Sequence, residues 1–138
     1  MDITEQTTIV KSNTDIHRQI TESFIKIELF FKGNEYHYTR ETLPVSIGRD
    51  SQCGVSVNNS TASREHCTLE LRNNQVGIID SSTNGTYIKI GRSDGILIKN
   101  SFYPLVSQGH ISLGEPIDLQ SPEILHFRVS ANAKTPQI

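Results

Sequence analysis

The chain has 138 residues, of which 35% are hydrophobic and 20% charged, the balance of one ordinary globular domain with a core of its own. A formal net charge of −2 argues against a general nucleic-acid surface, which is as a rule strongly basic. No apolar run approaches the roughly 20 residues of a membrane span, so no membrane partner is expected.

The N-terminus, MDITEQTTIV, has neither the basic region nor the long apolar stretch of a secretory signal. Two cysteines, Cys53 and Cys67, cannot make a disulfide framework, and a reducing cytoplasm is the expected location. Residues 1–22 hold six serines or threonines and no sustained period, and read as a flexible tail with room for a short helix around 15–22. From Phe24 the pattern turns to period two: Ile25, Ile27, Leu29 and Phe31 alternate with Lys26, Glu28 and Phe30. Gly33-Asn34 is the expected hairpin turn, with 35–39 as the return strand.

Further short strands are predicted at 45–47, 55–57, 67–71, 76–79, 86–90, 96–98, 102–106, 111–113 and 125–129. Asn73-Asn74 turns the chain between two of them, and Asn84-Gly85 carries the tight-turn signal between another two. About eleven short, mainly antiparallel strands with turn residues between them make an all-β fold, a sandwich or barrel. The body covers residues 23–130, and 131–138 form a C-terminal tail.

Three loops carry polar residues that turn geometry does not require. They are Ile47-Gly48-Arg49-Asp50, Thr61-Ala62-Ser63-Arg64-Glu65-His66 and Ser82-Thr83-Asn84-Gly85-Thr86. Together they offer two guanidinium forks, several hydroxyl donors and an amide, a set that suits a tetrahedral dianion. A phosphate group held at the loop tips of a rigid β scaffold is the chemical reading.

Gly48-Arg49, then Ser63-Arg64-Glu65-His66, then Asn84-Gly85-Thr86, in that order and with strands between them, resemble the forkhead-associated (FHA) domain family. The resemblance runs from about Phe24 to Val129. It implies an eleven-stranded β-sandwich that binds phosphothreonine peptides at one end, without catalytic activity and without a cofactor. Carried over by position, it implies that Arg49 and Ser63 bind phosphate, with Arg64 as a further cationic contact and Thr83 as a second phosphate-contacting residue. Asn84 would hold the ligand backbone. Gly48, His66, Gly85 and Thr86 would support the site, with His66 bracing the Ser63 loop. The implied partners are a phosphothreonine protein and an upstream Ser/Thr kinase. The chain departs from the family pattern at Cys53-Gly54-Val55, and again in the detour from Ile90-Gly91 to Tyr103, expected to form a hairpin or loop at the edge of the sandwich.

Thr7 and Thr8, in the tail, are candidate phosphorylation sites whose phosphate would enter the same pocket in cis. Two other functions compete. One is an FHA-like domain that docks partners without phosphate. The other is a Ser hydrolase built on Ser63, Glu65 and His66; yet on a strand residues 63 and 66 face opposite ways and should not meet, and no G-x-S-x-G elbow is present. The five histidines are scattered, so no metal site is expected, and Cys53 and Cys67 read as small core residues. Gly48 is not followed by the Lys-Ser/Thr of a P-loop.

Overall fold

A computed structural model describes residues 24–132. Thr7, Thr8 and the helix expected near 15–22 lie outside the described residues. Within them the alternating patterns become eleven strands: β1 (Phe24–Phe31), β2 (Asn34–Thr39), β3 (Val45–Gly48), β4 (Val55–Ser56), β5 (Cys67–Arg72), β6 (Gln75–Asp80), β7 (Thr86–Ile90), β8 (Ile96–Ile98), β9 (Phe102–Pro104), β10 (Gln108–Leu113) and β11 (Leu125–Asn132).

The strands form two sheets. A six-stranded sheet runs β2-β1-β11-β10-β7-β8 and a five-stranded sheet runs β4-β3-β5-β6-β9. The β1–β2, β10–β11, β10–β7, β7–β8, β3–β5, β5–β6 and β6–β9 pairs are antiparallel, and β3–β4 is parallel. The fold is therefore a β-sandwich. Period two explains why: Ile25, Ile27, Leu29 and Phe31 of β1 are all buried, as are Leu69, Ile78, Ile88, Ile111 and Phe127 of the other strands. Each such side chain contributes about 1.5–3 kcal/mol on leaving water.

Turn chemistry fixes the registers, in one case differently from the sequence reading. The β1–β2 hairpin turns at Lys32 and Gly33, with φ of 51° and 82°, while Asn34 already pairs with Phe31. A two-residue turn with both φ positive matches the strand twist, and here a lysine accepts the left-handed position. Asn73 and Asn74, with φ of 52° and 63°, make the expected turn between β5 and β6.

Asn84-Gly85 is not a hairpin turn. The strands it joins, β6 and β7, lie in different sheets, so the loop at 81–85 crosses from one layer to the other. The detour after Ile90 is a β7–β8 hairpin at the edge of the six-stranded sheet, followed by a crossing to β9 beside β6. Cys67 is buried in the core as expected, but Cys53 is only half-buried, with its thiol donating to the Arg64 carbonyl at 3.2 Å. Among the described residues no helix is long and apolar enough to cross a membrane.

Candidate functional site

The three polar loops meet, and the backbone brings them together before any side chain is considered. The Arg49 N–H donates to the Ser63 carbonyl at 2.9 Å and the Asp50 N–H to the Arg64 carbonyl at 3.0 Å. Gly48 permits this zipper. A Cβ there would stand 2.2 Å from the Arg64 carbonyl oxygen, a backbone atom that cannot step aside. Arg49 then adds its own Nε, which donates to the Ala62 carbonyl at 2.9 Å. Its side chain is exposed, and its two terminal nitrogens have no partner among the described residues.

His66 ties the second loop to the third. Its Nδ1 accepts from the Ser63 N–H at 2.9 Å, which requires the proton to sit on Nε2, and Nε2 donates to the Gly85 carbonyl at 2.8 Å. Burial pushes the imidazole below the ordinary histidine range, against the pull of the Gly85 carbonyl and of Asp80, so the ring stays neutral. Residues 63 and 66 thus do meet, contrary to the strand-based expectation, because β5 begins only at Cys67 and residues 63–66 form a loop. The contact is to the Ser63 backbone and not to its hydroxyl. Both ring nitrogens are occupied, which leaves no base for a serine nucleophile.

Beneath the third loop lies Asp80, only 2% exposed. Its Oδ1 accepts from the Ser82 hydroxyl at 2.6 Å and the Thr86 hydroxyl at 2.7 Å, and its Oδ2 from the Asn100 N–H at 2.9 Å. Ser82 in turn accepts the Gly85 N–H at 2.7 Å. Burial alone would raise the pKa of this carboxyl; the bonds from Ser82, Asn100 and Thr86 outweigh it and hold the group below its ordinary value. Thr86 is fully buried and serves as a strut. The hydroxyls crowded beside Asn84-Gly85 are therefore partly internal wiring. Sequence reasoning missed Asp80. Its signal was an acid closing the apolar run of β6 with two serines directly after it.

Above this layer stand the side chains that remain available. The Ser63 oxygen accepts the Thr83 N–H at 3.1 Å, and its hydroxyl proton is left to donate outward. Asn84 is exposed, with Nδ2 donating to the Thr61 carbonyl at 3.2 Å and Oδ1 unpaired among the described residues. Thr61 is itself anchored by its hydroxyl to the Leu113 carbonyl at 2.7 Å. Gly85 has φ of 88°, and its carbonyl accepts from Gly114 as well as from His66. Arg49, Ser63, Thr83 and Asn84 are thereby linked through direct bonds or one intervening residue. Arg64 is joined to them through its carbonyl alone; its guanidinium is exposed and has no partner among the described residues. Among those residues no group of three or more His, Cys, Asp or Glu could hold a metal ion. The arrangement offers cationic, hydroxyl and amide groups on a rigid base, the chemistry of an oxyanion site.

Comparison with known proteins gives a consistent picture. The FHA domain family matches residues 45–114, half of the chain. No curated protein matches. Similar solved structures include FHA-1 of Mycobacterium tuberculosis Rv1747, with a TM-score of 0.60 and 22% identity over 77% of this chain and 97% of that one. The MEK1 FHA domain, solved with a HOP1 phosphothreonine peptide, gives 0.56 and 21% over 75% and 95% of the two chains. The FHA domain of CT664 from Chlamydia trachomatis gives 0.52 and 21% over 77% and 95%. At these identities the structural likeness speaks for the fold, and the family match spans all three motif loops. This chain belongs to the FHA domain family.

Proposed function

We propose that this domain binds phosphothreonine in partner proteins and works as a non-catalytic docking module downstream of a Ser/Thr kinase. The observation that carries the reading is the convergence of Arg49, Ser63 and Asn84 at one exposed rim, each with donors or acceptors left over after the internal bonds are made. Arg49 supplies the charged donors for the phosphate, and Ser63 adds a neutral one. Thr83 and Arg64 flank them. Asn84, with an unpaired carbonyl oxygen, is suited to hold the ligand backbone. The MEK1 FHA domain, whose fold this chain shares, was solved with a phosphothreonine peptide bound, which supports the same ligand class here.

A binding role also accounts for the neutral, fully engaged His66 better than a hydrolytic one. The test is calorimetric titration with phosphothreonine peptides and their unphosphorylated twins. Binding confined to the phosphorylated members is the expected result. Equal binding of both twins would point to phosphate-independent docking, and binding of neither would remove the assignment.

A further inference from the structure

We infer that His110 and His126 form a two-histidine site for a borderline divalent transition metal such as zinc, on the outer face of the six-stranded sheet and outside the phosphate-binding loops. In the sequence these histidines are far apart; the fold sets them directly opposite one another, as Cα partners across β10 and β11. Their neighbours Ile111, Leu125 and Phe127 are buried in the core, so by strand alternation both imidazoles stand on the outer face.

The spacing fits a shared ion. Zinc sits about 2.0–2.1 Å from each ligating nitrogen, and a nitrogen lies roughly 1 Å from its ring centre, so two imidazoles on one ion at right-angle to tetrahedral geometry have centroids about 4.2–5.1 Å apart. The observed separation is 5.1 Å, with the ring planes 33° apart. Phe30 packs against the other side of His126 at 5.5 Å and holds that ring in place.

The surrounding cations are engaged elsewhere. Lys89, the partner of His110 on β7, directs its ammonium to the Ser93 carbonyl at 2.6 Å. Arg128 pairs with Glu28 at 3.0 Å and lies over the Phe30 ring. Neither imidazole makes a hydrogen bond among the described residues, so the pair does not serve the sheet as a polar bridge. Nδ1 of His110 is buried and has no hydrogen-bond partner among the described residues. Burial holds both rings below the ordinary histidine range, helped by His126 and Lys89 for His110 and by Arg128 for His126. Neutral imidazole is the form that ligates.

Imidazole suits zinc, copper and nickel, and among the described residues no carboxylate or thiol joins the pair, so waters would fill the remaining positions of an open site. Losing one of the two ligands removes the chelate, and either single variant should bind at least about tenfold more weakly.

The experiment titrates the full chain with zinc while following the imidazole nitrogen–proton spectrum, then repeats it for His110→Asn, His126→Asn and the control His37→Asn. His37 is the control because it already bridges Glu28 and Glu35 at 3.3 Å each. The expected result is joint movement of the His110 and His126 ring signals, weakened in either variant and retained in the control. Zinc that leaves both wild-type ring signals unmoved would overturn the inference, and this holds whether or not the variants fold.

Discussion

Two layers of polar groups lie at the loop end of the sandwich, and they differ in how fully they are used. In the lower layer, Asp80 and His66 are buried, and Asp80 accepts three hydrogen bonds while both nitrogens of His66 are committed. In the upper layer, Arg49, Ser63 and Asn84 each make one side-chain bond to protein and keep further groups for something else. Burial explains the difference. An unpaired buried polar group costs about 1–3 kcal/mol, so the lower layer has to be complete, whereas exposed groups keep their bonds to water until a ligand arrives. The lower layer sets positions, and in the function proposed above the upper layer is the one that binds.

The strongest way to break this contrast is Asp80→Ala. It leaves the Ser82 and Thr86 hydroxyls and the Asn100 N–H without their shared acceptor, and bonds to a charged group are the stronger kind. A loss of about 3 kcal/mol or more of stability is expected in denaturant unfolding, with phosphopeptide binding lost as the loop at 81–85 comes free. A variant as stable as the wild type would show that the lower layer does not hold the loop.

Arg49→Ala probes the upper layer. Its Nε bond to the Ala62 carbonyl is the only side-chain hydrogen bond given up among the described residues, so stability should fall by no more than about 1 kcal/mol. Phosphopeptide affinity should fall by about 1.5–3 kcal/mol, or roughly tenfold to a hundredfold. Unchanged titration curves would separate Arg49 from the ligand.

Acid should act on the lower layer first. His66 has its folded pKa held below the unfolded value, so the unfolded chain takes up a proton that the native ring refuses. The stabilisation is complete above the ordinary histidine pKa and is lost as pH falls below it toward the depressed native value. His110 and His126, also lowered by burial, act in the same direction. Asp80 follows the same sign in the carboxylate range, keeping its contribution until pH falls through its lowered pKa. Unfolding free energy measured between pH 7 and the mildly acidic range should decline; a flat or rising profile would contradict a neutral, buried His66.

The smallest effect concerns the ligand itself. By family resemblance, phosphothreonine should be preferred to phosphoserine. One buried methyl is worth about 0.8 kcal/mol, so a preference of only several-fold is expected from paired peptides. Equal affinities would mean that the rim recognises phosphate and backbone alone.

Much of this was legible in the sequence because both signals are local. Alternation along Ile25, Ile27, Leu29 and Phe31 reports burial directly, and short apolar runs bounded by turn residues placed the other strands. The motif residues of the loops could likewise be read off in order. Other features depended on pairing across the fold. The hairpin at Lys32-Gly33 follows from the register of β1 on β2, which Asn34 obscured by looking like a turn residue. Asn84-Gly85 carries a turn signature, yet the sheet that β7 joins decides whether the chain folds back or crosses over. Asp80 looks like a surface acid until Asn100, twenty residues on, is seen to bond it. The meeting of His66 with Ser63 was missed because strand geometry was applied to residues 63–66, which form the loop before the strand at Cys67.

The most direct measurement of the division between layers is a backbone amide spectrum recorded as a phosphothreonine peptide is added. The expected result is large shifts at residues 48–50, 61–66 and 83–85, with the unphosphorylated twin leaving them in place. Shifts centred on another face, or the same shifts from both peptides, would contradict a phosphate site at the exposed rim.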